Sequence, residues 1–495
     1  MAEDMAACNN PDSVKSSPFG LSYWMDRVLA EVEGASRSLD PDRVHDLRVA
    51  LRRCRSMAEG FMAIDPDKGW ETLLKEGRQL FRRLGALRDI QIMEEWIGRL
   101  SESEGVVSAA MLFHLSQSER KLKHAAMDAL HAFNRDRWRS LIGRLKSRAR
   151  RLPTGGEIFQ LCALQAWNEA HALHKQALRN RSDASFHRLR VGIKKFRYIV
   201  ENFLPVLHDA WGQDLRGMQD CLGESHDLFV FWQTAQRFGV FPDAESKERW
   251  RAMLFREKAA RISRYREKMV GMDSLWSIWR LALPSQSQLA SATLKMTEKW
   301  AFFQEINLKR ARHIRRLALQ MLNGLQPGSH PAIKDERNIL RLAAILQEFG
   351  RTKRRKGFST ETTDLGLEIP STMGFTAESL AIVAMIVQGQ RGKFRGLAWE
   401  PYPGLSEEQR QRAIELCGIL RLARVLSRDS TQTIRSLKVE QTDDSILILA
   451  AGYSELGPLA EKAAQARHLL EYARQKPVIL RRPPDIEGAA HHLGR

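Results

Sequence analysis

An eighteen-residue pattern occurs twice in this chain, and no other feature limits its fold so strongly. "VHDLRVALRRCRSMAEGF" at 44–61 aligns with "FHRLRVGIKKFRYIVENF" at 186–203, an offset of 142 residues. His45, Leu47, Arg48, Val49, Arg55, Glu59 and Phe61 recur as His187, Leu189, Arg190, Val191, Arg197, Glu201 and Phe203. Arg52 and Arg53 recur as Lys194 and Lys195, which keeps the charge. A shorter echo trails each copy, "LGALRD" at 84–89 and "LGESHD" at 222–227. Self-similarity of this kind predicts a duplicated unit, here two helical halves at about 18–151 and 152–282.

On a 3.6-residue helix the positions i, i+3, i+7 and i+10 share a face. Val44, Leu47, Leu51 and Cys54 then form an apolar stripe continued by Phe61, and Phe186, Leu189, Ile193 and Phe196 repeat it up to Phe203. One residue along, His45, Arg48, Arg52 and Arg55 form a basic stripe, matched by His187, Arg190, Lys194 and Arg197. The basic stripe borders the buried face, so its cations are expected to line a groove. A solvated face would pair its charges with acids at i±4. Within 45–55 only Asp46 is acidic, and no acid falls between His187 and Tyr198. Uncompensated cations on one face imply a bound anion. Lys75, Arg78 and Arg82 make a further basic stripe just before "LGALRD", and the second half keeps only Arg216 of it.

Composition points the same way. The 495 residues carry 78 Lys and Arg against 59 Asp and Glu, a net charge of +19, and a polyanionic partner follows from that excess. Five scattered cysteines without a C-x-x-C pair argue against a disulfide framework or zinc site. The start, "MAEDMAACNNPDSVKSSP", has early acids and no apolar core, so it is expected to be a disordered leader (1–17) and not a secretory signal. No apolar run approaches the roughly 20 residues of a membrane helix. A cytoplasmic protein with no membrane partner is the expectation.

Helical periodicity continues to about Leu283, and "LPSQSQLAS" marks a linker at 283–294. Helices resume over 295–482, with two strand-like runs at 434–441 and 445–453 forming one hairpin, before a tail at 483–495. The expected fold class is mainly α: a duplicated helical bundle, then a helical domain with a small β-hairpin.

"VHDLRVALRRCRSMAEGF", "LGALRDIQIMEEW" and "FHRLRVGIKKFRYIVENF" closely resemble the signatures of the CHAD domain, the conserved histidine α-helical domain. The resemblance covers roughly residues 18–282. It implies two helical bundles about a pseudo-twofold axis, with a basic cavity between them that binds inorganic polyphosphate. The ligand-facing residues it implies are His45, Arg48, Arg52, Arg53 and Arg55, with His187, Arg190, Lys194, Lys195 and Arg197. His226 stands where the family pattern has arginine, so binding on that side is expected to be weaker or pH-dependent.

The second region, "ARHIRRLALQML" through "ERNILRLAAILQEFG" to "GFTAESLAIVAMIVQGQR", resembles the HD-like helical C-terminal domain of the exopolyphosphatase and guanosine pentaphosphate phosphohydrolase (Ppx/GppA) family. An HD metal site needs several histidines and an adjacent His-Asp pair. Here His313 is one candidate ligand, while Gln347, Glu348 and Gln390 stand at the other positions. The reading is therefore degenerate: no metal, no cofactor and no catalytic residues, with the domain serving for homodimerisation or docking. The glycine-rich phosphate loops of that family's catalytic half have no counterpart, "DLGLE" (364–368) being only a superficial echo. "RTKRRKGF" (351–358) adds a basic loop, either a further phosphate contact or a solvated loop.

The expected function is non-catalytic binding of inorganic polyphosphate. Two alternatives remain open: an enzyme or regulator of polyphosphate or guanosine penta/tetraphosphate metabolism, and nucleic-acid binding. The last is disfavoured because the basic stripes offer almost no aromatic residues for base stacking.

Overall fold

The computed structural model describes residues 20–100, 105–326, 331–355, 369–390, 404–427 and 434–483, the side chains of 331–333 and 350–355 excepted. The leader, "DLGLE", residues 356–358 of the basic loop and the tail from 484 lie outside the described residues. No described helix is long and apolar enough to cross a membrane. The chain divides into two compact units near Pro284 and Ser285.

The first unit is ten helices in two series of five. The first series is α1 (Leu21–Ala35), α2 (Pro41–Met62), α3 (Lys68–Leu100), α4 (Gly105–His131) and α5 (Arg135–Ala149). The second is α6 (Glu157–Asn180), α7 (Asp183–Phe203), α8 (Pro205–Phe238), α9 (Ala244–Met269) and α10 (Leu275–Leu281). The repeated segment is α2 in one series and α7 in the other. Local sequence starts both. Asp40 caps α2 by accepting from the Arg43 amide at 2.9 Å, with Pro41 at the first helical position, and Ser182 caps α7 through the Ser185 amide.

Leu47, Leu51, Cys54 and Phe61 are buried, as are Leu189, Ile193, Phe196 and Phe203. Phe186 departs from the expected core stripe. It is only half-buried and lines a surface groove beside Phe255, because it sits in the first turn of α7, at the end of the bundle. Helices α2 and α7 meet through repeat-related residues. The Phe61 and Phe203 rings are edge to face at 5.2 Å, and Phe203 also stacks on Phe159 at 4.1 Å. Gly60 makes this approach feasible, since a Cβ there would stand 2.5 Å from the Phe203 ring. Contact between equivalent residues is the mark of a pseudo-twofold arrangement.

The second unit holds α11 (Gln286–Phe303), α12 (Leu308–Leu325), α13 (Pro331–Arg355), α14 (Ala377–Gln388), α15 (Glu407–Leu426) and α16 (Pro458–Arg474). The stretch 283–294, expected as a linker, is helical from Gln286, where Ser285 and Gln288 form a capping box. The basic run from Arg351 begins as the last turns of α13 and not as a loop. The glycine of "GFTAE", Gly374, has φ 82° and lies so close to the α11 backbone at Ala290 that no side chain fits. Thr376 then caps α14.

The expected hairpin is β1 (Leu437–Gln441) paired antiparallel with β2 (Ile446–Ala450). It is extended by β3 (Val478–Arg481), parallel to β2, where the sequence reading continued the helix into a tail. Four residues with alternating burial give too short a period-two signal to register, and α16 supplies the crossover that a parallel pair requires.

Candidate functional site

Two basic stripes become one surface because α2 packs on α7. At its centre is Tyr198, only 9% exposed, with its hydroxyl lacking a hydrogen-bond partner. Cations from both copies surround the ring: Arg52 at 5.8 Å, Lys194 at 5.8 Å and Arg197 at 5.9 Å from its centroid. Lys194 is crowded most. Burial, then Arg52, Arg190, Arg48 and Arg55, lower its pKa to about 8.

Arg48 is held differently. Its guanidinium lies over Phe81 at 5.1 Å, and one of its terminal nitrogens is buried without a partner. Gly85, from the first echo, makes room for it: a Cβ at that position would lie 2.6 Å from the Arg48 nitrogen. Gly223 is the corresponding glycine of the second echo, beside Arg190 at a looser 3.9 Å. The glycine that both echoes share thus lies beside the arginine of each H-x-x-R.

The echo acids approach the same region. Burial raises the Asp227 carboxyl to about 6 against the pull of Arg190, and Asp89 and Glu224 push in the same direction as burial. His226 packs against His187 with the rings tilted at 45° and 4.6 Å between centroids, and burial together with Arg190 and His187 lowers its pKa to about 4. His45 is likewise held below its ordinary value, first by desolvation and then by Arg88, Arg52 and Arg48. Arg88 is the counterpart of His226, so each stripe histidine faces the fifth residue of its own echo. Burial and cationic surroundings favour the neutral ring at both His45 and His226.

The expected site residues divide into two groups. Arg48, Arg52, Arg190 and Lys194 make no ion pair among the described residues. The others have acids after all. Arg55 pairs with Glu59 at 2.9 Å and Arg197 with Glu201 at 3.5 Å, both at i+4, just past the ends of the two basic stripes. Arg53 crosses to the other copy, where it binds Glu201 and donates to Asn202 Oδ1 at 3.0 Å while covering Trp24 at 5.2 Å. Lys195 turns outward to Glu169 at 2.6 Å. Arg53 is a fastener between the copies and Lys195 a surface pair.

The α3 stripe, Lys75, Arg78 and Arg82, is exposed and makes no ion pair among the described residues. Arg78 joins Arg55 in lining a small cavity of about 20 Å³. Of the residues on this face, Tyr198 has the faintest signal in the sequence. Its signal was the repeat itself, which places it opposite Ser56, one turn after Lys194.

In the second unit, residues at the HD positions are engaged with separate partners. Gln390 is buried and donates to the Ile386 carbonyl at 3.0 Å, while His313 accepts from Arg316 at 2.8 Å on α12. Glu348 is buried with Arg310 3.7 Å away. Among the described residues no three His, Cys, Asp or Glu side chains gather as a metal site would require.

The comparisons with known proteins fall on the same division. The CHAD domain model matches residues 21–236, and the model of Ppx/GppA phosphatase, domain III, matches residues 291–463. The crystal structure of the CHAD domain from the plant Ricinus communis is similar at 23% identity and a TM-score of 0.39, covering 50% of this chain and 88% of that one. No curated protein matches the chain. The two repeats with their echoes lie within the match to the CHAD domain, and most of the second unit's helices, with β1 and β2, lie within the match to Ppx/GppA phosphatase, domain III.

Proposed function

We propose that the first unit binds inorganic polyphosphate, non-catalytically, on the face shared by α2 and α7. One observation carries this reading: Arg48, Arg52 and Arg190 crowd Lys194 from two copies, and none of the four makes an ion pair among the described residues, although Asp89 and Asp227 lie within electrostatic reach of Arg48 and Arg190. Holding these charges together is unfavourable until an anion neutralises them. Arginine fits the task because its planar donors take two phosphate oxygens at once. A flexible chain of phosphates can follow a face that runs from one copy to the other. Single-stranded nucleic acid is less suited, since Tyr198 is buried and offers no open ring for a base.

The deciding experiment is a titration of the whole protein with long-chain polyphosphate, with single-stranded RNA of equal phosphate count as competitor. Polyphosphate should bind tightly and resist the RNA. Displacement at equal phosphate concentration would overturn the assignment.

A further inference from the structure

The second unit carries a cationic pocket that the first does not account for. It is an open cavity of about 860 Å³ at α11, α12 and α13. Lys295, Lys309, Arg312, Arg315, Arg316 and Arg341 line it, and Glu298 is the one carboxylate among its lining residues. Glu298 is already engaged by two of them, Arg315 and, at 3.4 Å, Arg312. Lys309, Arg316 and Arg341 have no ion pair among the described residues.

Neutral polar groups hold two of these cations in place. Arg316 donates to His313 Nδ1 at 2.8 Å, which leaves Nε2 as the proton-bearing nitrogen of a neutral ring. Arg341 donates to Asn338 Oδ1 at 3.3 Å, and nearby Arg337 is held by Asn323 Oδ1 at 2.8 Å. Partial burial, with Arg315 and Arg337 close by, depresses the Arg341 pKa. Neutral partners fix the guanidinium groups without cancelling their charge.

We propose that this pocket is a second anion site, for a short oligophosphate. Its volume lies in the range of small-ligand sites. Guanidinium groups from α12 and α13, with Lys295 from α11, suit a compact anion with many oxygens. No Phe, Tyr or Trp lines the pocket, so a nucleobase would have nothing flat to stack on. The phosphate chain, free or at the end of a larger molecule, is therefore what the site reads. This site does not depend on the polyphosphate face of the first unit.

The test uses the full chain carrying Arg52→Ala and Lys194→Ala, which disables the first face. Calorimetric titration with inorganic tripolyphosphate should still show one site per chain. Affinity should fall at least about tenfold on adding Arg316→Gln with Arg341→Gln, and similarly with the more exposed pair Lys309→Gln and Arg312→Gln. Melting curves identify any variant that fails to fold, and the rim pair then decides. If tripolyphosphate no longer binds once the first face is disabled, the second site is wrong and the first stands. If binding survives both pocket pairs, the pocket is also wrong. Adenosine triphosphate binding more tightly than tripolyphosphate would overturn the ligand class, because the base would then be contributing.

Discussion

The two copies of the repeat share a sequence pattern and use it unequally. Arg53 of the first copy reaches across to Glu201 and Asn202, whereas its counterpart Lys195 pairs locally with Glu169 on α6. Arg48 is wedged against Gly85, while Arg190 stands clear of Gly223. Arg88 in the first echo becomes His226 in the second. Duplication makes two equal helices, and packing them against each other gives equivalent residues different neighbours. Shared charge is kept at the centre, at Arg52 and Lys194, and specialisation occurs on either side.

The largest expected effect tests that shared centre. Arg52→Ala combined with Lys194→Ala should weaken long-chain polyphosphate binding about 100-fold, roughly 3 kcal/mol, by removing two charge-assisted contacts. The single variants should agree within about threefold; a large disparity would mean that one copy binds alone. The same titrations at several salt concentrations should give a log–log slope of about −3 to −4, on the rule of about −0.7 per phosphate neutralised and roughly four to six contacts. A flat salt response would exclude an electrostatic site.

Next in size is the difference between Arg53 and Lys195. Arg53→Ala leaves the buried Glu201 without its partner from the other copy and should cost about 2 kcal/mol of stability. Lys195→Ala breaks an exposed pair and should cost under about 0.5 kcal/mol. Chemical denaturation of the two variants measures both, and equal losses would erase the distinction between fastener and surface pair.

A smaller contrast concerns the two echo glycines. Gly85→Ala pushes against the tip of Arg48, a flexible group, so it should lower affinity about three- to fivefold with little loss of stability. Gly223→Ala meets Arg190 at ordinary contact distance and should change affinity less than about twofold. The reverse ranking would show that the second copy holds its arginine the more tightly.

The smallest effect is on pH. Asp227, with a pKa raised to about 6, is charged at pH 7 and neutral by pH 5, so the face becomes more cationic as pH falls through that window. Arg190 and Arg88 face it as cations, Asp89 and Glu224 as acids, with His226 and His187 beside them. Polyphosphate affinity should rise about two- to threefold between pH 7 and 5. His226, with its pKa near 4, contributes little there. Asp227→Asn should remove the rise, and persistence of the rise in that variant would assign it to other groups.

The sequence by itself determined the helical class, the duplication and most of the buried stripe. Helix periodicity and capping are local properties, and Leu47, Leu51, Leu189 and Ile193 are buried in any helix that carries them at that spacing. It also marked the cations. It did not decide which of them remain available, because that depends on residues distant in the chain. Glu201 lies 148 residues after Arg53, and Glu169 is a full helix away from Lys195. Glu59 and Glu201 were visible in the repeat but lie one turn past the stripe, where only a built helix brings them back to Arg55 and Arg197. Tyr198 gained its place at the centre only when α2 packed on α7. Likewise, α11, α12 and α13 are separate stretches of ordinary basic helix in the sequence, and only their packing gathers six cations around one carboxylate. Charge is written residue by residue, but its compensation is decided by distance, and distance between remote residues exists only in the folded chain.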